Sequence, residues 1–402
     1  MSIYEPSSAK SSTTLKAMRR VITGDNVQGL SVITHEGNAP GQHENDKIPG
    51  RGYTDFWVWR KTPQPLHGTE DTGHWPDEFP GPPPGGHLRV VHWLSDNGKP
   101  GAVPVVPPHP PVRVGVGGHS WDRGGGNNSC ISDMHKTESV DFGIVLEGER
   151  LLVCDGGQTA IGPGDIVVQV GAWHLWDSSR VGCHMAFDMV PAVFSGEPTG
   201  LHGLQEKDVP VMKAVAGKMP AGVKPQRRIV TIDREPGKSV IVSDGTSPDV
   251  RTDPARPGFA LHRVWVIESH PAPIVPESLQ LPYVLVPPHK GTTLNVLTLP
   301  PDAGWKGKGG VEQARAFYAS LGESSIATCG SIPGHPYSQK SSTVDFLVVT
   351  EGEVTLVLET GETTLKTGEI GVVRGGNHAL ANRTGAPAVV AIASHDAVAG
   401  GY

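Results

Sequence analysis

Two stretches of the sequence decide the fold: "DMHKTESVDFGIVLEGE" at 133–149 and "YSQKSSTVDFLVVTEGE" at 337–353. The run that begins at Val140 recurs from Val344, at an offset of 204 residues. Both copies have the apolar, β-branched composition of a strand and close on a glycine, which is typical of a turn. Because one such unit appears twice, we interpret the chain as a tandem repeat of a β-rich domain.

Further landmarks repeat in the same order along the chain. "RRVITGDNVQGLSVITHEG", which starts at Arg19, matches "RRIVTIDREPGKSVIVSDG", which starts at Arg227, 208 residues later. At the offset of 204, three more positions pair as Gly164 with Gly368, Gly171 with Gly375, and His174 with His378. Independent landmarks at nearly one offset favour a duplication over chance similarity.

These offsets divide the 402 residues into two domains of ordinary size. The predicted division is a tail at 1–18, a first domain at 19–204, a linker at 205–226 and a second domain at 227–402. The 52 glycines and 37 prolines favour β structure in both domains, because these residues interrupt helices and supply turns. One helix is predicted at 310–323, where apolar residues recur at helical spacing before a glycine stop.

The composition also limits partners and location. A net charge of −7 with 19% charged residues describes an ordinary globular protein without a basic face, so nucleic acid is not expected as a partner. No apolar run is long enough for a membrane helix, and residues 1–20 lack the apolar stretch of a secretory signal. We therefore expect a cytoplasmic protein that has a small-molecule substrate and no membrane contact. A homodimer is left open.

Strand periodicity identifies candidate metal ligands. Because side chains two apart along a strand share a face, His135 and Asp141 point to one side and Glu138 to the other. His174 follows a Gly-Ala-Trp turn after a strand-like run, which places it at the mouth or in the interior of a barrel. Two histidines and one carboxylate leave open positions on ferrous iron. We therefore predict His135, Asp141 and His174 as ligands, with Glu138 as the rival carboxylate if a β-bulge turns it inward.

The second copy lacks this ligand set. Gln339 stands at the position that His135 has in the first copy. An amide oxygen is a much weaker ligand than imidazole for iron or zinc, and Asp345 with His378 is too small a set to hold a transition metal. We therefore predict a degenerate metal site in the second domain, which would serve to brace the first.

The repeated stretches resemble the two sequence motifs of the cupin superfamily, and their tandem arrangement resembles a bicupin. Motif one is represented by His135, Thr137, Asp141 and Gly148; motif two by Gly164, Gly171, His174 and Ser178, and again by Gly368, Gly375, His378 and Asn382. The chain departs from the family at Thr137, where motif one has a second histidine. The resemblance implies an all-β fold of two double-stranded β-helix barrels of the jelly-roll type, with few helices. It also implies one bound metal ion, with Fe(II) favoured and Zn, Ni, Mn or Cu as alternatives.

Several other side chains near the motifs are candidate site residues. Glu138 and His119 are candidates for moving protons, although His119 lies on a Gly-rich loop where simple exposure is the alternative. Three tryptophans lie around the motifs, Trp121, Trp173 and Trp176. They would form an aromatic wall for a flat organic substrate or, equally, part of the core. His184 has no histidine counterpart in the second copy, where Ala388 stands at the aligned position, and it is a candidate substrate-binding group.

Three classes of function follow from these residues and the resemblance. The first is an iron-dependent oxygenase, such as a dioxygenase, acting on a small organic molecule, with aromatic and polyketide-like compounds among the candidates. The second is a non-redox decarboxylase, isomerase or lyase in which the metal acts as a Lewis acid. The third is a non-catalytic bicupin that stores or binds a small ligand. We rank the oxygenase first and the non-redox enzyme second, because of the family resemblance and because the predicted ligand set leaves open positions on the metal.

Overall fold

The computed structural model describes residues 14–46, 48–66, 70–76, 79–94, 113–114, 118–123, 134–177, 181–194, 219 and 223–400. The predicted tail at 1–18 and linker at 205–226 lie mostly outside these ranges, as does Ser178 of the second motif. The predicted domain boundaries therefore stay predictions.

Strands make up most of the described structure. The first half contains β1 (Arg19–Asp25), β2 (Ser31–Asn38), β3 (Gly41–Asn45), β4 (Ile48–Trp59), β5 (Gln64–Pro65), β6 (Gly86–Trp93), β7 (Arg113–Val114), β8 (Ser120–Asp122), β9 (His135–Thr137), β10 (Ser139–Gly148), β11 (Arg150–Cys154), β12 (Gly157–Ile161), β13 (Ile166–Val170), β14 (Leu175–Asp177) and β15 (Cys183–Pro191). The second half contains β16 (Arg227–Glu235), β17 (Lys238–Thr246), β18 (Asp249–Thr252), β19 (Ala260–Ile267), β20 (Thr292–Leu299), β21 (Thr343–Glu351), β22 (Glu353–Leu358), β23 (Glu362–Lys366), β24 (Ile370–Arg374), β25 (His378–Ala381) and β26 (Ala388–Val398). Within the described ranges, the helical elements are α1 (Val311–Ser320) and a 3-10 turn at Asp302–Gly304. The all-β prediction is confirmed.

Two large sheets form the frame of the molecule. One joins β17, β16, β13, β10, β15, β6, β4 and β3 in that order, and the other joins β18, β19, β20, β26, β21, β24, β1 and β2, with β5 paired to β26. Two three-stranded sheets, β12-β11-β14 and β23-β22-β25, complete the two barrels, and β7-β8-β9 forms a third small sheet beside the first barrel. The architecture is a tandem pair of double-stranded β-helix barrels.

The two halves of the chain exchange their first strands. β1 pairs in parallel with β24 of the second half, Arg20 lying opposite Ile370. In the same way β16 pairs in parallel with β13 of the first half, Arg228 lying opposite Ile166. Each large sheet therefore contains strands from both halves, so neither sheet is the product of one half alone.

Alternation along the strands separates the buried residues into distinct cores. Val140 and Phe142 of β10 belong to a core that the two large sheets share, and residues of both halves contribute to it. Val145 of the same strand belongs instead to the core inside the first barrel. Because Asp141 and Val145 lie on one face of β10, the Asp141 side chain points into the barrel.

The helix α1 packs on the second barrel. Its first turn is fixed at Gly310, whose backbone N–H donates to the Gln313 side chain over 2.9 Å. Phe317 and Tyr318 join the core inside the barrel, and Gly322, with φ of +75°, follows the end of the helix. The predicted helix is confirmed. None of the helical segments in the described part of the chain has the length and apolarity needed to cross a membrane.

Candidate functional site

His135 and His174 lie side by side inside the first barrel. The backbone N–H of His135 donates to the carbonyl oxygen of His174 over 3.0 Å, and the reverse bond measures 2.9 Å. The two residues thus form an antiparallel bridge, which directs both side chains to one face. Their ring centroids are 4.3 Å apart. The fold therefore brings together two imidazoles that are 39 positions apart in the sequence.

The ring of His174 is held in one orientation. Its Nδ1 donates to the carbonyl oxygen of Ala172 over 2.8 Å, which leaves Nε2 as the acceptor nitrogen. Burial lowers the pKa of His174 well below its usual value, and the neighbouring His135 lowers it further. A neutral imidazole whose other nitrogen is fixed by a carbonyl is the form in which histidine binds metals.

Asp141 lines the same cavity from β10. Burial raises the pKa of its carboxyl to about 7, and the nearby Asp188 carboxylate adds to this, while hydrogen bonds from Ser139 and Thr137 oppose it. Its Oδ1 accepts no hydrogen bond from any described residue. A buried carboxyl with a pKa near neutrality and an oxygen without a protein partner is suited to take up or release a proton.

The geometry of these three residues bears on metal binding. His135 and His174 form a pair of nitrogen donors, but no group of three His, Cys, Asp or Glu side chains in the described ranges is arranged to hold a metal ion. Thr137, which also lines the cavity, stands where the family motif has another histidine. The structure thus places Asp141 beside the histidine pair without assembling a three-ligand cluster, and its role as a ligand stays a prediction.

The rest of the cavity is largely apolar, with a volume of about 60 Å³. Its apolar walls include Phe79, Val91, Trp93, Trp176, Phe187 and Met189. Trp176 meets the His174 ring edge to face at 5.5 Å and the Phe187 ring at 5.8 Å. The histidine pair therefore opens onto a surface that suits a flat organic molecule.

Part of this wall was not among the residues singled out from the sequence. Arg89 reaches the cavity from β6, and its Nε donates to Asp55 over 3.0 Å. Its guanidinium lies 4.0 Å from the centre of the Tyr53 ring. The available signal was the run "GGHLRVVHW" at 85–93, in which one arginine interrupts an apolar strand. A charge in such a run indicates a buried partner or a site.

Two of the three candidate tryptophans lie away from the cavity. Trp121 and Trp173 form a separate small core with Met134. Trp173 is fully buried, and the Arg123 guanidinium lies 4.4 Å from its ring centre. Only Trp176 of the three lines the cavity of the first barrel, so the other two have the core role that the sequence analysis kept as the alternative.

Glu138 and His119 contact each other outside the cavity. Nδ1 of His119 and Oε2 of Glu138 are 2.6 Å apart, and the other carboxylate oxygen accepts the backbone N–H of Phe194 over 3.0 Å. The register irregularity of β10 against β15 falls between Val145 and Glu147, so it does not turn Glu138 inward. The two predicted proton carriers therefore contact each other on the opposite face of the strand from Asp141.

His184 lies near the first barrel but does not line its cavity. Its Nδ1 is 3.2 Å from the Glu147 carboxylate, and its ring meets His92 edge to face at 4.8 Å. Burial lowers the pKa of His184, while its bond to Glu147 raises it. The structure gives His184 two protein partners and no path to the histidine pair.

The second barrel repeats the backbone geometry of the site with Gln339 in place of a histidine. Gln339 and His378 exchange backbone hydrogen bonds of 2.8 and 2.9 Å. Nδ1 of His378 donates to the carbonyl oxygen of Gly376 over 2.8 Å, as His174 does to its own neighbour. Asp345 lines this cavity as Asp141 lines the first. Two barrels with exchanged strands and one repeated site geometry decide the architecture.

The chain folds as two double-stranded β-helix barrels in tandem. No family model matches the sequence. Among solved structures, the chain is similar to a quercetin 2,3-dioxygenase from Acinetobacter baumannii, with 12% identity, a TM-score of 0.31 and coverage of 77% of this chain and 74% of that one. It is also similar to an oxalate decarboxylase, with 8% identity, a TM-score of 0.32 and coverage of 78% and 69%.

The curated relatives match this chain over short segments. Over 72 residues it is 43% identical to phomopsin biosynthesis cluster protein C' of Diaporthe leptostromiformis, which covers 17% of this chain and 36% of that protein. Over 49 residues it is 47% identical to the cupin-domain-containing oxidoreductase virC of Hypocrea virens, which covers 12% of this chain and 25% of that protein. The chain thus spans less than half of the length of these relatives.

Proposed function

We propose that this bicupin is a metal-dependent enzyme whose first barrel acts on a small organic molecule, and that the reaction is an iron(II)-dependent oxygenation. The observation that carries the proposal is the pair of adjacent imidazoles, His135 and His174, with ring centroids 4.3 Å apart at the base of an aromatic cavity. A segment 47% identical to a protein named as a cupin-domain-containing oxidoreductase supports a redox reaction over the other classes.

The imidazole nitrogens of His135 and His174 are the two donors that fit a metal ion. His174 is neutral, and Ala172 orients its ring, so its Nε2 lone pair is available at neutral pH. Iron(II), when bound to His135 and His174, would supply coordination positions at which substrate and dioxygen meet. Imidazole nitrogens are also suitable donors for zinc, nickel and copper, which makes the metal itself a matter for experiment.

The chain's own residues would bind and orient the substrate. Trp176 and Phe187 present aromatic surface beside the histidine pair, so a flat ring system would stack against them. The walls are buried, which excludes bulk water and strengthens polar interactions in the cavity. Arg89, held by Asp55, adds a fixed positive charge to the wall. The substrate class that fits is an aromatic or enolic molecule with an oxygen substituent.

A second candidate reaction is a non-redox decarboxylation, isomerisation or lysis. Asp141 favours it, because this carboxyl lies in the cavity and one of its oxygens accepts no hydrogen bond from the described residues. A carboxyl so placed could transfer a proton to or from a substrate carbon. Glu138 and His119, the proton carriers proposed from the sequence, have no contact with this cavity and gain no support for that role.

Elemental analysis of the protein, purified without oxygen and without added metal, tests the proposal. Iron near one per chain supports the oxygenase, whereas zinc, nickel or manganese at that level supports the second candidate. A protein that contains none of these metals and takes up none from solution would contradict both. It would leave a bicupin that stores or binds a small ligand.

A further inference from the structure

At five strand positions the cavity of the second barrel has a smaller side chain than the cavity of the first. Equivalent positions can be read from the two strand ladders, in which Asp141 opposes Met189 and Asp345 opposes Ser394. By the same ladders, Leu380 stands where the first barrel has Trp176, and Ile392 where it has Phe187. Leu299 stands at the position of Trp93, and Asn295 at that of Arg89. Every one of these exchanges removes volume.

The second cavity measures about 80 Å³, against about 60 Å³ in the first barrel. Protein interiors are close-packed, and an empty apolar cavity costs stability because its lining loses contacts. A barrel kept only to brace its neighbour would be expected to close this space with larger side chains.

The second cavity is also built by a helix that has no counterpart among the described residues of the first half. Phe317 and Tyr318 of α1 line it, and the Tyr318 hydroxyl donates to Oε1 of Gln339 over 3.0 Å. The Gln339 amide nitrogen in turn lies 3.4 Å from Nε2 of His378. Tyr318, Gln339 and His378 therefore form a hydrogen-bonded row across the base of the cavity, in which the glutamine occupies the acceptor nitrogen of the histidine.

Two buried oxygen atoms in this cavity have no hydrogen-bond donor among the described residues. Asn295, whose exposed fraction is 2%, and Asp345, at 4%, both line the cavity. Oδ1 of Asn295 and Oδ1 of Asp345 accept no hydrogen bond from the described residues. Buried acceptors without donors are costly, so their presence indicates a group that is supplied from outside the chain.

We infer that the second barrel is a metal-free binding site for a small, largely apolar organic molecule that carries a hydroxyl or N–H donor. The apolar walls, which include Leu297, Phe317 and Ile392, would bury the body of the molecule. Its donor would bind the Asn295 oxygen, an atom that can only accept. No metal takes part, because the Gln339 amide already engages His378.

Isothermal titration of the full chain with 4-propylphenol, in the presence and absence of EDTA, tests this inference. The matched probe is 4-propylanisole, which has the same ring and tail but no donor. Asn295→Leu removes the acceptor at nearly constant volume. Leu380→Trp introduces into the second cavity the tryptophan that the first barrel has at Trp176, and its larger side chain fills the cavity. The thermal unfolding of both variants would be recorded to confirm that they are folded.

We expect one molecule of 4-propylphenol to bind the second barrel with unchanged affinity in EDTA. Asn295→Leu should weaken the phenol about tenfold, the value of one hydrogen bond, and change the affinity for the anisole less than about twofold. Leu380→Trp should lower the stoichiometry of both probes by one per chain. Failure of the phenol to bind the folded wild type, or a stoichiometry that Leu380→Trp leaves unchanged, would overturn the inference.

Discussion

Lys136 of the first half donates to Asp233 of the second half across 2.6 Å, and both side chains are buried. The other oxygen of the same carboxylate accepts the backbone N–H of Trp173 over 2.9 Å. Since Lys136 follows His135 and Trp173 precedes His174, one carboxylate holds both segments of the histidine pair. Asp233 lies on the exchanged strand β16, so the second half of the chain fixes the site of the first.

The equivalent pair of the second barrel gives a matched test of this contact. Lys340 donates to Asp25 over 2.7 Å, but these side chains are 42% and 30% exposed. Asp233→Asn removes the negatively charged partner of the buried Lys136 ammonium and should lower the free energy of unfolding by about 3–5 kcal/mol. Asp25→Asn should cost less than about 1 kcal/mol because water solvates the lysine. Urea unfolding of both variants measures the difference, and equal losses would contradict the argument.

The second prediction is that metal binding resides in the first barrel. His135→Gln writes the residue of the second barrel into the first, and we expect it to abolish iron and zinc binding while the thermal unfolding stays close to that of the wild type. The reason is that an amide oxygen replaces one of the two imidazoles. Metal content after reconstitution and dialysis measures the effect.

The matched control for this prediction is His378→Ala, which removes the equivalent of His174 in the second barrel. We expect it to leave the metal content unchanged. If His135→Gln retains its metal, another group carries the site. Loss of metal in His378→Ala would instead make the second barrel the metal-binding one.

The third prediction concerns the turn glycines that close the repeated stretches. Gly148 and Gly352 have φ of +78° and +73°, so a valine at either position should cost about 1–3 kcal/mol through backbone strain. An added Cβ at Gly148 would collide with the carbonyl oxygen of Gly182, whereas at Gly352 the nearest atom, the oxygen of Pro387, lies 3.1 Å away. Chemical denaturation should therefore show the larger loss for Gly148→Val.

The fourth prediction is a loss of stability in mild acid. Burial lowers the pKa of His262 to about 4, so the folded protein keeps this ring neutral. Below about pH 6.5 the unfolded chain binds a proton there that the folded chain rejects. The contribution of His262 is therefore complete above pH 6.5 and declines towards pH 4. Between pH 7.5 and 5.0 the wild type should lose about 2 kcal/mol more than His262→Gln.

Urea denaturation at the two pH values measures this difference. His289→Gln is the control, because this side chain is 74% exposed, and it should keep the pH dependence of the wild type. Identical pH dependence in the wild type and His262→Gln would show that the buried ring is not the cause.

The sequence contains enough information for the architecture and for one part of the site. Repeated motifs at a constant offset predicted two barrels, because duplicated units fold alike. Strand periodicity placed Asp141 inside the barrel, and that periodicity is local to β10. The backbone bridge between His135 and His174 brings the two rings together. The sequence indicated this only indirectly, through the spacing of the repeated motifs. These features depend on local order or on comparison of the two copies.

The remaining features depend on contacts that local patterns do not encode. Arg89 reaches the cavity from outside the motifs because β6 joins the barrel through β15, and Phe79 reaches it from the segment that precedes β6. Trp121 and Trp176 both lie close to the motifs in the sequence, yet of these two only Trp176 faces the cavity. Trp121 lies on β8, which pairs with the edge of β9 opposite to His174. The exchange of β1 and β16 follows from the closure of two barrels against each other, which no single stretch of sequence specifies.

The strand exchange also determines when each large sheet can form during synthesis on the ribosome. β1 ends at Asp25 and its partner β24 begins at Ile370, so at about 5–20 residues per second roughly 20–70 s of elongation separate the two. β16 emerges soon after β13, and the first barrel can close its sheet during translation. Until the last strands appear, β1 and β2 present an open edge of the kind that pairs with other chains. A pause in translation before Ile370 would therefore leave a nascent chain that depends on chaperones.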